Sequence, residues 1–128
     1  MGSSLGGFLS IQLSSDLNLF AVALNPSTNP YDSLRRYIGK RKNFKTGIEF
    51  EFTEEAVNSY PKKCELDGCA VIYLMDGDET LDAKETFEKL NQNYNCKLIS
   101  GGGHRFKDIT PYLNEIIEEY NVFKNKKL

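Results

Sequence analysis

The chain has 128 residues, 40% hydrophobic and 27% charged, with a formal net charge of -2 at pH 7. That size and balance suit a single domain over residues 1–128 with one core, and the near-neutral charge gives little reason to expect nucleic acid as the main partner. The sequence carries no apolar run long enough for a membrane span, no signal-peptide pattern and no heptad or solenoid repeat, so the expected location is the cytoplasm.

Cys64, Cys69 and Cys96 are odd in number and lack C-x-x-C spacing. This argues against a disulfide framework or a structural zinc site and leaves free, mostly buried thiols as the expectation.

The chain opens on Gly2-Ser3-Ser4-Leu5-Gly6-Gly7, in which Gly2, Ser4 and Gly6 fit the G-x-S-x-G pattern of a nucleophile elbow. In that motif the serine sits on a tight strand-to-helix turn, flanking glycines relieve crowding, and the helix that follows aims its amide dipoles at the reacting centre. Ser4 is the candidate nucleophile. Short Gly/Ser patterns are common and Met-Gly-Ser-Ser also opens expression tags, so the weight falls on the rest of the chain.

Leu5, Phe8, Leu9, Gln12 and Leu13 recur at roughly helical spacing, which predicts a helix from Leu5 to about Asp16. Leu19 to Leu24 is a short apolar run expected of a parallel strand covered on both faces, and Asn25-Pro26 ends it. Alternation of strand, loop and helix marks an α/β fold, whose functional residues gather at the carboxyl ends of the strands, and Asn25 lies at that edge.

Residues 30–61 read as a cap-like insertion. A short helix is expected around Tyr31 to Ile38, then a basic stretch, then a strand in which Ile48, Phe50 and Phe52 share a half-buried face opposite Glu49 and Glu51. Arg35, Arg36, Lys40, Arg41, Lys42 and Lys45 either form a solvated face or attract a phosphorylated or carboxylated substrate tail such as that of coenzyme A.

A second buried strand is expected at Cys69 to Met75, followed by the acidic loop Asp76-Gly77-Asp78-Glu79. A helix over Asp82 to Asn93, with Leu81, Phe87, Leu90 and Tyr94 toward the core, leads to a strand at Cys96 to Ser100 and the loop Gly101-Gly102-Gly103-His104. The last helix is expected from about Ile109 to Tyr120, with Ile109, Leu113, Ile116, Ile117 and Tyr120 on one stripe, Lys124 to Lys127 favouring its carboxyl end and the terminal residues fraying.

An acid therefore follows one strand and the chain's single histidine follows the next, giving the order Ser4, Asp78, His104 of nucleophile, acid and base. His104 would take the proton of Ser4, and Asp78 would fix the imidazole tautomer. Asp76 and Asp82 compete for the acid role, with a turn residue or helix cap as the alternative for either, and the Gly77 turn favours Asp78. The glycine run lacks the lysine-bearing helix that a phosphate loop requires.

These ordered pieces resemble the small bacterial YqiA-like esterases of the α/β-hydrolase superfamily. Similar segments are Gly2 to Phe8, Asn25-Pro26 with Pro30-Tyr31, Leu34-Arg35 and Tyr37 to Gly39, and Thr46-Gly47. Gly77-Asp78-Glu79-Thr80-Leu81-Asp82 looks like the family's acid loop, and Gly102-Gly103-His104 with Phe106 looks like its histidine loop.

The resemblance implies an α/β-hydrolase fold and a serine hydrolase of acyl esters, including acyl-coenzyme A thioesters, with Ser4, Asp78 and His104 as its triad. It implies a small-molecule substrate and no metal or other cofactor. Thr80, and Asn43-Phe44-Lys45 in place of Asn-Pro-Tyr, depart from the family pattern. Members also begin with a strand and a His-Gly-Phe loop before the elbow. Their absence here implies a carboxyl-terminal portion of the fold, truncated at the amino end, with Met1 an internal methionine. The Leu5 N–H would be one oxyanion donor and the absent loop would supply the other. The competing classes are a silent fragment or binding protein of the same fold, and a nucleic-acid phosphoesterase accessory domain, which leaves Gly2 to Gly6 and the Asp78 loop unexplained.

Overall fold

The computed structural model describes residues 1–127. It divides into two compact units, one of residues 1–28 together with residues from 65 onward, the other of residues 29–64.

In the first unit, the elements in chain order are β1 (Gly2–Ser3), α1 (Leu5–Leu17) and β2 (Phe20–Leu24), which the second unit separates from the rest. The second unit holds α2 (Pro30–Ser33), β3 (Gly39–Lys42), β4 (Glu49–Phe52) and α3 (Glu54–Asn58). The first unit resumes with β5 (Cys69–Met75), α4 (Ala83–Leu90), β6 (Asn95–Ile99) and α5 (Leu113–Lys126). No helix among the described residues is long and apolar enough to cross a membrane.

The unbroken apolar runs of β2 and β5 form the middle of a four-stranded sheet of order β1-β2-β5-β6. All its pairings are parallel, with Gly2 opposite Ala23, Ala23 opposite Ile72, and Ile72 opposite Cys96. Successive side chains alternate between the two faces. Val22, Leu24, Val71 and Tyr73 form one buried cluster, packed by Phe20, Ile99, Phe106, Ile109, Tyr112 and Ile116. This is the parallel sheet flanked by helices that the sequence leads one to expect.

The helix α1 buries Phe8, Ile11, Gln12 and Ser14, whereas Leu9 and Leu13 of the expected stripe are 45% and 50% exposed. Close approach and polar anchoring select the buried face here. Ser14 Oγ accepts the Cys69 N–H at 2.7 Å and donates to the Leu19 carbonyl at 2.6 Å, and a Cβ on Gly68 would lie 2.5 Å from that oxygen.

The expected helix at 31–38 is instead the four-residue α2, started by Asn29 as cap and Pro30, and followed by a 3-10 turn over Leu34–Tyr37. Lys40, Arg41 and Lys42 belong to strand β3, paired antiparallel with β4. The alternation in β4 is that of a strand, but Ile48 and Phe50 are 66% and 49% exposed, because a two-stranded sheet has too little area to bury both faces. Helix α3, not foreseen, is capped by Thr53, whose side chain accepts the Ala56 N–H at 3.1 Å.

At the carboxyl end, Pro111 lies in a 3-10 turn over Thr110–Tyr112, and the helix proper starts at Leu113 and continues past Tyr120 to Lys126. No helix breaker interrupts residues 121–126, and Phe123 packs on Phe20 with ring centroids 5.8 Å apart, so the helix extends beyond the expected end at Tyr120. Leu113 and Ile117 of the expected stripe are exposed. The thiols also differ from expectation, since Cys69 is exposed and Cys64 and Cys96 are only partly covered.

Candidate active site

Ser4 joins β1 to α1 with φ 55 and ψ -119, a backbone region that side-chain-bearing residues rarely occupy. Three backbone hydrogen bonds hold it there: Ser4 N–H donates to the Leu24 carbonyl at 3.0 Å, and the Ser4 carbonyl accepts from Phe8 at 3.1 Å and Ser27 at 3.0 Å. The turn is so tight that a Cβ on Gly2 would lie 2.1 Å from the Gly6 carbonyl oxygen, and Gly7 lets Pro26 approach closely. Gly6, by contrast, faces open space, so only one of the two motif glycines relieves crowding. Leu5 is the first residue of α1, and its N–H is one of those a helix start leaves without an intrahelical partner.

Asp78 and His104 lie beyond the carboxyl ends of β5 and β6. Asp78 N–H donates to the Met75 carbonyl at 3.1 Å, and Asp78 Oδ1 accepts from the N–H groups of Thr80 at 2.8 Å and Leu81 at 2.9 Å. The loop is drawn against its neighbour by Gly77, whose N–H donates to the Gly101 carbonyl at 3.0 Å and where a Cβ would lie 2.4 Å from the Gly102 carbonyl oxygen.

Ser4, Asp78 and His104 come together. His104 Nε2 is 2.9 Å from Ser4 Oγ, and His104 Nδ1 is 2.9 Å from Asp78 Oδ2 and 3.1 Å from Oδ1. A carboxylate only accepts, so Nδ1 donates to Asp78, and in the neutral imidazole this leaves Nε2 to accept from the serine hydroxyl. The Asp78 side chain is 2% exposed and that of His104 22%, an arrangement that shields the carboxylate and leaves the imidazole reachable. A cavity of about 420 Å³ opens beside His104, between Met75, Glu79, Gly103 and Arg105.

The other candidate acids are engaged elsewhere. Asp76 Oδ1 accepts the Gly101 N–H at 2.6 Å, and Asp82 caps α4 by accepting the Glu85 N–H at 3.0 Å. The first of these bonds also occupies an amide of the glycine run, which a phosphate cradle would need free. Of the basic residues, Arg35 meets Asn58 at 2.8 Å and Glu54 at 3.7 Å, while Arg36, Lys40, Arg41, Lys42 and Lys45 are exposed on the second unit.

Two residues that the sequence places near the site hold contacts it does not reveal. Glu79 Oε2 accepts the backbone N–H of His104 at 2.9 Å, and that bond holds the Glu79 carboxyl below the usual range. Asn25, 1% exposed and at φ 43, donates from Nδ2 to the carbonyls of Gly103 at 3.0 Å and His104 at 2.9 Å. The strand-end position of Asn25 was legible, but its partners lie 78 and 79 residues away and leave no local signal.

A parallel sheet, a strained serine between strand and helix, and an acid and a histidine after successive later strands define the α/β-hydrolase fold. The chain belongs to the uncharacterised protein family UPF0227, whose family model matches residues 1–120. It is similar to UPF0227 protein YE1706 of Yersinia enterocolitica, at 29% identity over 115 residues that cover 90% of this chain and 60% of that protein. Among solved structures it is similar to Est1E from Butyrivibrio proteoclasticus, with a TM-score of 0.63 at 16% identity over 94% of this chain and 58% of that one. A crystal structure from Agrobacterium vitis S4 aligns with a TM-score of 0.57 at 18% identity over 93% of this chain and 59% of its own. The chain spans 60% of the length of the curated relatives it matches.

Proposed function

We propose that the chain carries the catalytic residues of a serine hydrolase of acyl esters, acyl-coenzyme A thioesters included. The observation that carries this reading is the continuous path from Ser4 Oγ through the His104 imidazole to the Asp78 carboxylate, with both links at 2.9 Å. His104 Nε2 accepts the hydroxyl proton as Ser4 Oγ attacks the acyl carbon, and then returns it to the departing alkoxide or thiolate. Asp78 orients the ring and stabilises the imidazolium formed between the two steps. A water molecule activated by the same nitrogen then releases the acid from the acyl-serine.

The Leu5 N–H, at the positive end of α1, is the oxyanion donor in this reading. No His-Gly-Phe segment occurs in these 128 residues to supply a second, and loss of one such donor typically lowers turnover about a hundredfold to a thousandfold. A silent or ligand-binding member of the fold is therefore the second reading.

Treatment with a serine-reactive fluorophosphonate, read by intact mass, tests the proposal. One adduct, lost in Ser4→Ala and in His104→Ala, is expected. A folded chain that takes no adduct favours the silent reading.

A further inference from the structure

The two backbone polar groups of His104 both end on side chains outside the Ser4-His104-Asp78 path. Its N–H is held by Glu79 Oε2 at 2.9 Å and its carbonyl by Asn25 Nδ2 at 2.9 Å. Asn25 does more than hold one carbonyl. The same Nδ2 also donates to Gly103 at 3.0 Å, Oδ1 accepts the Met75 N–H at 2.8 Å, and the Asn25 backbone N–H donates to the Tyr73 carbonyl at 2.8 Å. Met75 in turn accepts from the Asp78 N–H. One buried amide thus ties the end of β2 to the base of the acid loop and to the histidine loop.

We propose that Asn25 is a positioning residue that sets the separation of Asp78 and His104, with Glu79 as the second point of a clamp on the His104 backbone. This rests on the hydrolase reading for its consequence in catalysis, but not for its geometry. The amide is suited to the task because it donates and accepts at once, whereas aspartate in its place would turn a carboxylate toward two carbonyl oxygens. The left-handed backbone at residue 25 is one that asparagine tolerates better than most residues. Gly101 and Gly102 both lie at positive φ, a path that side-chain-bearing residues rarely follow, and the clamp fixes the histidine where that path ends.

The test uses the chain's single histidine, which gives one set of imidazole signals in solution NMR. The downfield Nδ1–H signal of His104 is recorded in the parent, Asn25→Asp, Asn25→Ala, Glu79→Ala and Glu79→Gln, with thermal melts to verify folding. Fluorophosphonate labelling rates are measured on the same samples. The signal is expected to be sharp in the parent, broadened or lost in both Asn25 variants and in Glu79→Ala, and restored in Glu79→Gln, which keeps an oxygen acceptor. The labelling rate is expected to fall at least tenfold in Asn25→Asp.

Folded Asn25 variants that keep the signal and label within twofold of the parent overturn the proposal. If neither Asn25 variant folds, the exposed Glu79 pair decides, and an unchanged signal in Glu79→Ala counts against the clamp. A parent that resists labelling while the Asn25 variants still lose the signal supports the clamp and sinks the hydrolase reading alone.

Discussion

Ser4 Oγ and His104 Nε2 are separated by 100 positions in sequence and 2.9 Å in space. Nε2 can take the serine proton only as the free nitrogen of a neutral imidazole, and the Asp78 carboxylate on the far side of the ring favours the tautomer that leaves it free. In Asp78→Asn, the Oδ1 bonds to Thr80 and Leu81 can persist, so the loop keeps its shape. An amide nitrogen then faces Nδ1 and favours the tautomer with the proton on Nε2, which cannot accept from serine. The expected result is a folded protein whose rate of reaction with fluorophosphonate falls by about ten-thousandfold. A rate within tenfold of the parent would mean that Asp78 does not set the tautomer.

The two motif glycines should respond in opposite directions. In Gly2→Ala the new methyl would meet the backbone oxygen of Gly6 at 2.1 Å, which no rotamer change relieves. Overpacking of this kind costs about 1–3 kcal/mol or more. In Gly6→Ala the methyl meets nothing within 4 Å, and alanine within a helix is favoured over glycine by about 1 kcal/mol. Urea denaturation of the two variants measures the difference, and equal midpoints would contradict the geometry of the turn.

How far the sequence could be read follows from where each signal resides. The strands β2 and β5 were legible because each is a continuous apolar run bounded by turn residues, and Ser4, Asp78 and His104 because each closes a strand with a recognisable loop. Helix α1 was found but its buried face was not, since Ser14 and Gln12 anchor it through polar bonds to residues about 53 to 55 positions away, which hydrophobic periodicity does not record. The end of α5 was misjudged for a similar reason, as Phe123 finds its partner on β2. Asn25 shows the same limit at the site, where an ordinary strand-ending asparagine acquires its role from carbonyls of a distant loop.

The buried Tyr73 hydroxyl donates to Glu115 Oε1 at 2.9 Å, while Lys97 Nζ meets Glu115 Oε2 at 2.6 Å, so one carboxylate joins β5, β6 and α5. Lys97, and then the tyrosine, hold the Glu115 carboxyl below the usual range. A depressed carboxyl contributes stability that is present above its unfolded pKa, about 4.3, and is lost as pH falls through the lower folded value. Thermal melts between pH 7 and pH 3 should show that loss diminished in Glu115→Gln. Tyr73→Phe removes one hydrogen bond and is expected to cost about 1–2 kcal/mol at pH 7, with Lys97 still satisfying the carboxylate. Burial and the Glu115 bond raise the Tyr73 pKa, so the tyrosine's contribution is present below its unfolded value, about 10, and declines as pH rises beyond it. An acid limb identical in parent and Glu115→Gln would show that other carboxyls govern the transition.

Cys96, on β6, should be chemically quiet despite being a free thiol. Burial pushes its pKa up to about 12. The thiolate is the reacting species, and at pH 8 its population falls by roughly a thousandfold relative to an ordinary thiol of pKa about 8.5. Iodoacetamide at pH 8, followed by peptide mass mapping, should leave Cys96 unmodified over a period in which a model peptide thiol reacts fully, and unfolding in urea should restore ordinary reactivity. The same shift ties the thiol to folding, because its neutral form is the one the native state accepts, so stability from this residue is present below about pH 8.5 and declines above it. Rapid labelling of Cys96 in the folded protein would mean that β6 opens locally, since the partly covered thiol stays protonated in the closed state.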